Sequence, residues 1–198
     1  MNLEDYRRVF IIGSLVLMLI AASPTLGLVV QLPSRGGRFS EFWVLDPNHM
    51  AEDYPFEVRA NASYSVFLGV ENHIGTSAYY LIYVKVRNQT QALPNAISSE
   101  PSPLAPLCEF RAFVADGGTW EMPITFGVLG VSRYDDSVYV SRVSINDVVS
   151  VLNCSALRDS QYKGFYYQLF FELWLYNMAS ENFQFHDRFV AIWLNLTV

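Results

Sequence analysis

Between Gly69 and Thr90 the chain reads GVENHIGTSAYYLIYVKVRNQT, a histidine beside Glu71 and Asn72 with runs of alternating apolar residues on either side. Before the histidine, Tyr64, Val66, Leu68 and Val70 share one face of an extended chain. After it, Tyr80, Ile82, Val84 and Val86 do the same. A period of two is the signature of a strand, and each apolar set can cover one side of a core. Asn72 and Gly75 both tolerate positive φ, so the stretch predicts two paired strands joined by a turn on which His73 rides.

The same alternation recurs to the end of the chain. Candidate strands are Glu41 to Leu45, Tyr64 to Glu71, Tyr79 to Arg87, Cys108 to Val114, Trp120 to Phe126, Val138 to Val143, Phe165 to Tyr176 and Phe189 to Val198. The segment Ala92 to Pro106 holds four prolines, which excludes a central strand and predicts a long connector. In SINDVVSVLNCSAL, Ile145, Val148, Val149 and Leu152 recur at helical spacing and Ser144 with Asp147 resembles a capping box, so a short helix is expected there. Phe165 to Tyr176 is aromatic on both faces, as suits a central strand covered on both sides. Together these signals predict an all-β fold over residues 39–198, an immunoglobulin-like antiparallel β-sandwich with one short flanking helix.

Ahead of the sandwich, Val9 to Val30 runs for 22 residues without a charge, long enough as a helix to cross a bilayer core of roughly 30 Å. A cleaved signal peptide with an apolar region from Val9 to Ala22 competes with an uncleaved anchor. The sites after Ala22 and Gly27 are poor, because Ile20 is bulky and Pro24 crowds the first, so a single transmembrane helix over 9–30 is expected. Residues 1–8 then form a cytoplasmic N-terminus and 31–38 a linker. Arg7 and Arg8 before the span are balanced by Arg35 and Arg38 after it, so basic residues alone do not orient the chain. Four Asn-x-Ser/Thr acceptors, Asn61, Asn88, Asn153 and Asn195, and two cysteines, Cys108 and Cys154, all follow the span and place the C-terminal domain outside the cell membrane.

The whole chain carries 13 basic and 19 acidic residues, a net charge of −6. That balance argues against nucleic acid, which demands a basic footprint, and against docking on anionic lipid. The expected membrane partner is the bilayer itself, through residues 9–30.

FSEFWVLDPNHMAEDYP, ASYSVFLGVENHIGTSAYYLIYVKV, WEMPITF and GFYYQLFFELWLYN followed by FHDRF resemble, in that order, an archaeal domain-of-unknown-function family, the one numbered sixteen-sixteen. The resemblance implies an envelope protein with transmembrane helices and an extracytoplasmic β domain. This chain has one span where many members have several. The family brings no activity and no catalytic residues. The strand, turn, strand pattern also resembles adhesion-type β-sandwiches that serve as spacers and binding modules.

Residues that could carry chemistry are few. His49, His73 and His186 lie on predicted loops near Asp46, Glu71 and Asp187, without the short spacing of a zinc site. No Gly-x-Ser-x-Gly elbow or phosphate-binding loop is present, so no enzyme activity, metal or cofactor is expected. Cys108 and Cys154, if paired, close a loop of about 47 residues worth on the order of 4 kcal/mol. Tyr166, Trp174 and Tyr176, with His73 and His186, are the candidate interaction surface, since exposed aromatics mark binding sites. The expected function is a non-catalytic, membrane-anchored interaction or structural subunit of the archaeal cell envelope, with an envelope protein or a second copy as partner. The alternative is a glycan-binding module that contacts surface-layer sugars, and a metal-dependent hydrolase ranks third.

Overall fold

Backbone pairing supports the period of two and changes how the strands are joined. The computed structural model describes residues 38–197 and, ahead of them, positions 6, 7, 10–12, 14 and 18 in helix. The chain divides into two units, Met1–Gly37 and Arg38–Val198. The expected span over 9–30 lies for the most part outside the described residues. Among those described, no helix is long and apolar enough to cross a membrane.

Among the described residues, ten strands build two five-stranded sheets. The first sheet has the order β1 (Phe39–Leu45), β3 (Ser63–His73), β6 (Thr119–Tyr134), β7 (Ser137–Ile145), β8 (Val148–Leu157). The second has the order β2 (Glu57–Arg59), β10 (Asn182–Thr197), β9 (Tyr166–Asn177), β4 (Ala78–Asn88), β5 (Cys108–Val114). All pairings are antiparallel except the short parallel one between β2 and β10. The inner faces meet as the alternation requires: Val66, Leu68, Val70, Tyr80, Ile82 and Val84 are all fully buried. Each such aliphatic side chain contributes about 1.5–3 kcal/mol of transfer free energy.

The expected hairpin at the opening stretch is corrected. β3 pairs with β1 and β6, β4 pairs with β5 and β9, and the four residues between them carry the chain from one sheet to the other. Asn72 is the reason. Its side chain is completely buried; Nδ2 donates to the carbonyls of Thr76 (2.8 Å) and Val114 (3.0 Å), and Oδ1 accepts from the Ile74 N–H (3.0 Å) and the Tyr80 hydroxyl (3.3 Å). One amide thereby ties both sheets to the crossing. Gly75, at φ 89°, supplies the left-handed step and its N–H donates to Asp116 Oδ1 at 2.7 Å.

The expected flanking helix is also corrected. Residues 144–157 form the end of β7, a two-residue turn and all of β8. Asn146 and Asp147 have φ of 45° and 65°, the left-handed pair that a tight hairpin turn demands. Asn146 Oδ1 further accepts from the Thr125 N–H at 2.7 Å, locking the turn to β6. Those two residues outweigh the helical spacing of their apolar neighbours.

The cysteines do not pair: both are free thiols. Cys108 opens β5 in the second sheet and Cys154 sits on β8 in the first. The Ser150 hydroxyl touches the Leu107 carbonyl at 2.9 Å, which sets Cys108 beside Ser150. Cys154 lies four residues further along β8, on the order of 12 Å away at strand rise and beyond disulfide reach. Its sulfur faces Gln91 Oε1 at 3.4 Å instead. Burial pushes the Cys108 thiol up to about 11 and raises that of Cys154 as well.

The proline-rich segment is a long connector as the sequence predicts, but it does not cross between sheets: it joins β4 to its neighbour β5 and forms a strap against the outer face of the second sheet. There Lys85 on β4 and Glu172 on β9 form an ion pair at 2.8 Å, with side-chain exposures of 4% and 0%. Ser102 of the strap closes over the pair: its N–H donates to Glu172 Oε1 at 2.8 Å and its carbonyl accepts from Lys85 Nζ at 2.9 Å. Phe170, outward on the same strand, is fully buried.

Candidate functional site: the aromatic outer face of the second sheet

Outward positions of a sandwich are ordinarily polar. On the second sheet many of them are aromatic, and the strap covers only the middle. The two ends stay open and differ in character.

At the end near the β3–β4 crossing, Tyr79, Tyr176 and Phe183 form a mutual cluster with ring centroids 5.2–6.2 Å apart. The Arg111 guanidinium sits 5.4 Å from the Phe183 ring. Trp174 packs edge-on against Tyr83 (5.4 Å) and Phe185 (5.9 Å), and its N–H reaches Glu172 Oε2 at 3.2 Å. An open cavity of about 560 Å³ lies alongside, lined in part by Tyr79, Tyr176, Phe113 and Met178.

At the opposite end four rings surround a cavity of about 330 Å³: Phe56 just before β2, Tyr162 in the β8–β9 crossing, Tyr166 on β9 and Trp193 on β10, together with Gln89 and Asp159. Phe56 and Tyr166 stack with centroids 6.1 Å apart, and Tyr162 stands edge-on to Tyr166 at 6.5 Å. Asp159 organises the crossing: Oδ1 accepts the N–H groups of Gln161 (2.9 Å) and Tyr162 (2.8 Å), and Oδ2 accepts Gln89 Nε2 (3.0 Å). These donors, that of Tyr162 foremost, hold its carboxyl below the usual carboxylate range against some desolvation. The Tyr166 phenol is raised, first by burial and then by the charges of Asp159 and Glu57. Behind the cavity the Arg87 guanidinium lies 5.3 Å from the Trp193 ring.

The expected surface residues are thus not brought together. Tyr166 and Tyr176 belong to opposite ends of β9, ten residues or roughly 33 Å apart. Trp174 is half-buried within the sheet face and lines neither cavity. His73 sits within β3 and not on a loop, with Nε2 3.0 Å from Glu71 and 3.9 Å from Glu41, stacked on Phe39 at 4.9 Å. His49, on its loop, meets Glu121 at 3.1 Å and stacks on Phe67.

His186 is likewise not on a loop. It occupies a bulge of β10, where the register against β9 skips from Phe185 to Arg188. The bulge turns its ring inward, where Nε2 meets Ser40 Oγ at 3.0 Å; Ser40 Oγ in turn lies 2.6 Å from the Tyr80 hydroxyl, which reaches Asn72. Burial, then Arg188, lowers the His186 pKa, opposed by Asp187. Asp187 Oδ1 is buried without a hydrogen-bond partner among the described residues. Ser40 is 2% exposed and doubly bonded, so the chain of hydroxyls staples β1 to the second sheet and offers no open nucleophile. Among the described residues no group of three or more His, Cys, Asp or Glu side chains is placed to hold a metal.

The four glycan acceptors separate into two pairs. Asn61 and Asn153 are exposed, each at positive φ. Asn88 and Asn195 are half-buried with the amide nitrogen engaged, the first on the Ser155 carbonyl (2.7 Å) and the second on Glu57 Oε1 (2.9 Å). Glu57 Oε2 also takes the Thr197 hydroxyl at 3.1 Å, so one carboxylate grips both polar groups of the last acceptor.

Two five-stranded sheets around one apolar core, with aromatic side chains on an outer face, define the chain as a β-sandwich protein. It belongs to the family described as Domain of unknown function (DUF1616), whose model matches residues 33–134. No curated protein matches the chain. Among solved structures, a chain of the human seminal-plasma complex of Zinc 2-glycoprotein and Prolactin inducible protein aligns over 83% of this chain and 100% of its own, at 10% identity and a TM-score of 0.38. The CARDB domain of a Pyrococcus furiosus protein aligns over 80% and 94%, at 6% identity and 0.36. A β-glucosidase from Listeria innocua aligns over 81% of this chain and 16% of its own, at 9% identity and 0.39. At these scores the likenesses carry no argument about function.

Phe56, Tyr162, Trp193, Gln89 and Asp159 were not singled out by sequence reasoning. Trp193 carried a signal, since in AIWLN it is a large aromatic at an outward position of the last strand. Asp159 carried another: an Asp two and three residues before the N–H groups it binds is an Asx-type turn.

Proposed function

We propose that this chain is a membrane-anchored, outward-facing, immunoglobulin-like sandwich that serves as a non-catalytic interaction or structural subunit of the archaeal cell envelope. The observation that carries the proposal is the aromatic outer face of the second sheet, open at both ends of the strap. Large aromatics at solvent-facing positions are retained where a partner covers them, because each buries 150–250 Å² on contact. The uncharged run over 9–30 and the acceptors that follow it support an outward-facing orientation on a bilayer. The partner is an envelope protein or a second copy, bound through the Tyr79, Tyr176 and Phe183 cluster. Extraction of the full chain in mild detergent should yield a complex of fixed stoichiometry that Phe183→Asp dissolves while the variant still melts cooperatively as a folded domain. A monomer in every detergent, or a complex indifferent to Phe183→Asp, would overturn the proposal.

A further inference from the structure

We infer that the cavity between Phe56, Tyr162, Tyr166 and Trp193 binds one neutral hexopyranose ring of a glycan. The inference rests on the proposed binding role of this outer face and names the ligand class at its other end. The ring faces are available: Tyr162 is 70% exposed, Phe56 46% and Trp193 40%. A pyranose offers apolar C–H faces and a rim of hydroxyls, and so requires flat apolar walls with a few fixed polar groups at their edge. Gln89 and Asp159 are that edge.

The carboxylate is oriented before any ligand arrives, because two backbone N–H groups hold Oδ1 and turn Oδ2 toward Gln89. Oδ2 keeps an unused lone pair and, among the described residues, the side-chain oxygen Oε1 of Gln89 accepts no hydrogen bond, so adjacent hydroxyls find two acceptors side by side. The volume of about 330 Å³ is at the low end for ligand sites, which suits one ring and not a longer bound chain.

Charge selects against the alternatives. Asp159 and Glu57 both act on the Tyr166 phenol, a negative environment that repels uronic, sialic and sulfated sugars. The guanidinium of Arg87 already lies at the Trp193 ring and would repel an organic cation there. A neutral ligand that stacks and accepts or donates hydrogen bonds at its rim satisfies both constraints.

The test uses the full chain in a detergent free of sugar groups. Methyl α-mannopyranoside, methyl β-glucopyranoside, methyl β-galactopyranoside and tetramethylammonium chloride are titrated by saturation-transfer NMR and tryptophan fluorescence. At least one neutral pyranoside should bind in the millimolar range. Trp193→Ala and the exposed Tyr162→Ala should each weaken binding tenfold or more, and Val149→Ala, an exposed position at the far end of β8, should leave it unchanged. Absence of binding by all three pyranosides, binding indifferent to Trp193→Ala and Tyr162→Ala, or selective binding of tetramethylammonium would each overturn the inference. A complex that Phe183→Asp dissolves, with no sugar bound, would sink the ligand assignment alone; loss of both would sink the interaction role as well.

Discussion

Replacing Lys85 by methionine removes the ammonium group from Glu172 while leaving a side chain of similar length to fill the space beneath the strap. In the native protein Glu172 accepts three hydrogen bonds, from Lys85 Nζ (2.8 Å), the Ser102 N–H (2.8 Å) and Trp174 Nε1 (3.2 Å). After the substitution a fully buried carboxylate keeps only the two neutral donors. Breaking a buried pair by removing one partner costs about 3–5 kcal/mol, because the remaining charge loses its compensation. For a domain of this size each kcal/mol lowers the melting temperature by about 2–4 °C, so Lys85→Met should melt about 6–20 °C lower. The double variant Lys85→Met/Glu172→Gln removes both charges and keeps an acceptor for Ser102; it should recover most of the loss. Thermal and urea unfolding of the full chain in detergent, with limited proteolysis of residues 92–106 as a local readout, measure both effects. A single variant within about 1 kcal/mol of wild type, or a double variant as unstable as the two single losses added together, would refute the reasoning.

Native Cys108 and Cys154 should resist alkylation at pH 7.5 and both react after unfolding without reductant; a native mass lower by two hydrogens would show a bridge instead. His186 has a folded pKa below its unfolded value of about 6.5, so the unfolded chain binds the proton more tightly and stability is lost as pH falls from about 7 through that window. His186→Gln, which can still bond Ser40, should lose less stability than wild type between pH 7.5 and 5, and an equal loss would refute the assignment. Glycopeptide mass spectrometry of protein from the native membrane should find Asn61 and Asn153 occupied in preference to Asn88 and Asn195, where the amide nitrogen is already bonded; the reverse order would contradict the geometry.

How much of the fold the sequence discloses depends on the range of the interaction that decides it. Alternation is local, so the faces of β3 and β4 were legible to the residue, and the bounds of β5 matched as read. Which strands pair is not local. Two adjacent alternating runs predict a hairpin, but Asn72 reaches Val114, forty-two positions on, and that contact belongs to a crossing between sheets. At residues 144–157 the error was one of weight, because an Asn-Asp pair between β-branched residues is a hairpin signal as strong as the helical spacing of Ile145, Val148, Val149 and Leu152. The cavity was least legible. Its rings come from three separate stretches, Phe56, Tyr162 with Tyr166, and Trp193, and no spacing along the chain announces that the sheet order sets them side by side.

The aromatic segment Phe165–Tyr176 shows why one pattern can have two causes. A strand apolar on both faces implies cover on both sides, and at Phe170 that holds, because the outer cover is the proline-rich strap and the charges beside it are sealed as a pair. The strap, however, reaches only the middle of β9. Tyr166 and Tyr176 carry the same pattern past its edges, where nothing among the described residues completes their cover. Burial at Phe170 therefore explains the composition of the strand centre by folding, and leaves the two ends to be explained by binding. The two explanations separate experimentally: substitution at Phe170 should act on stability, substitution at Tyr162 or Phe183 on what the protein holds.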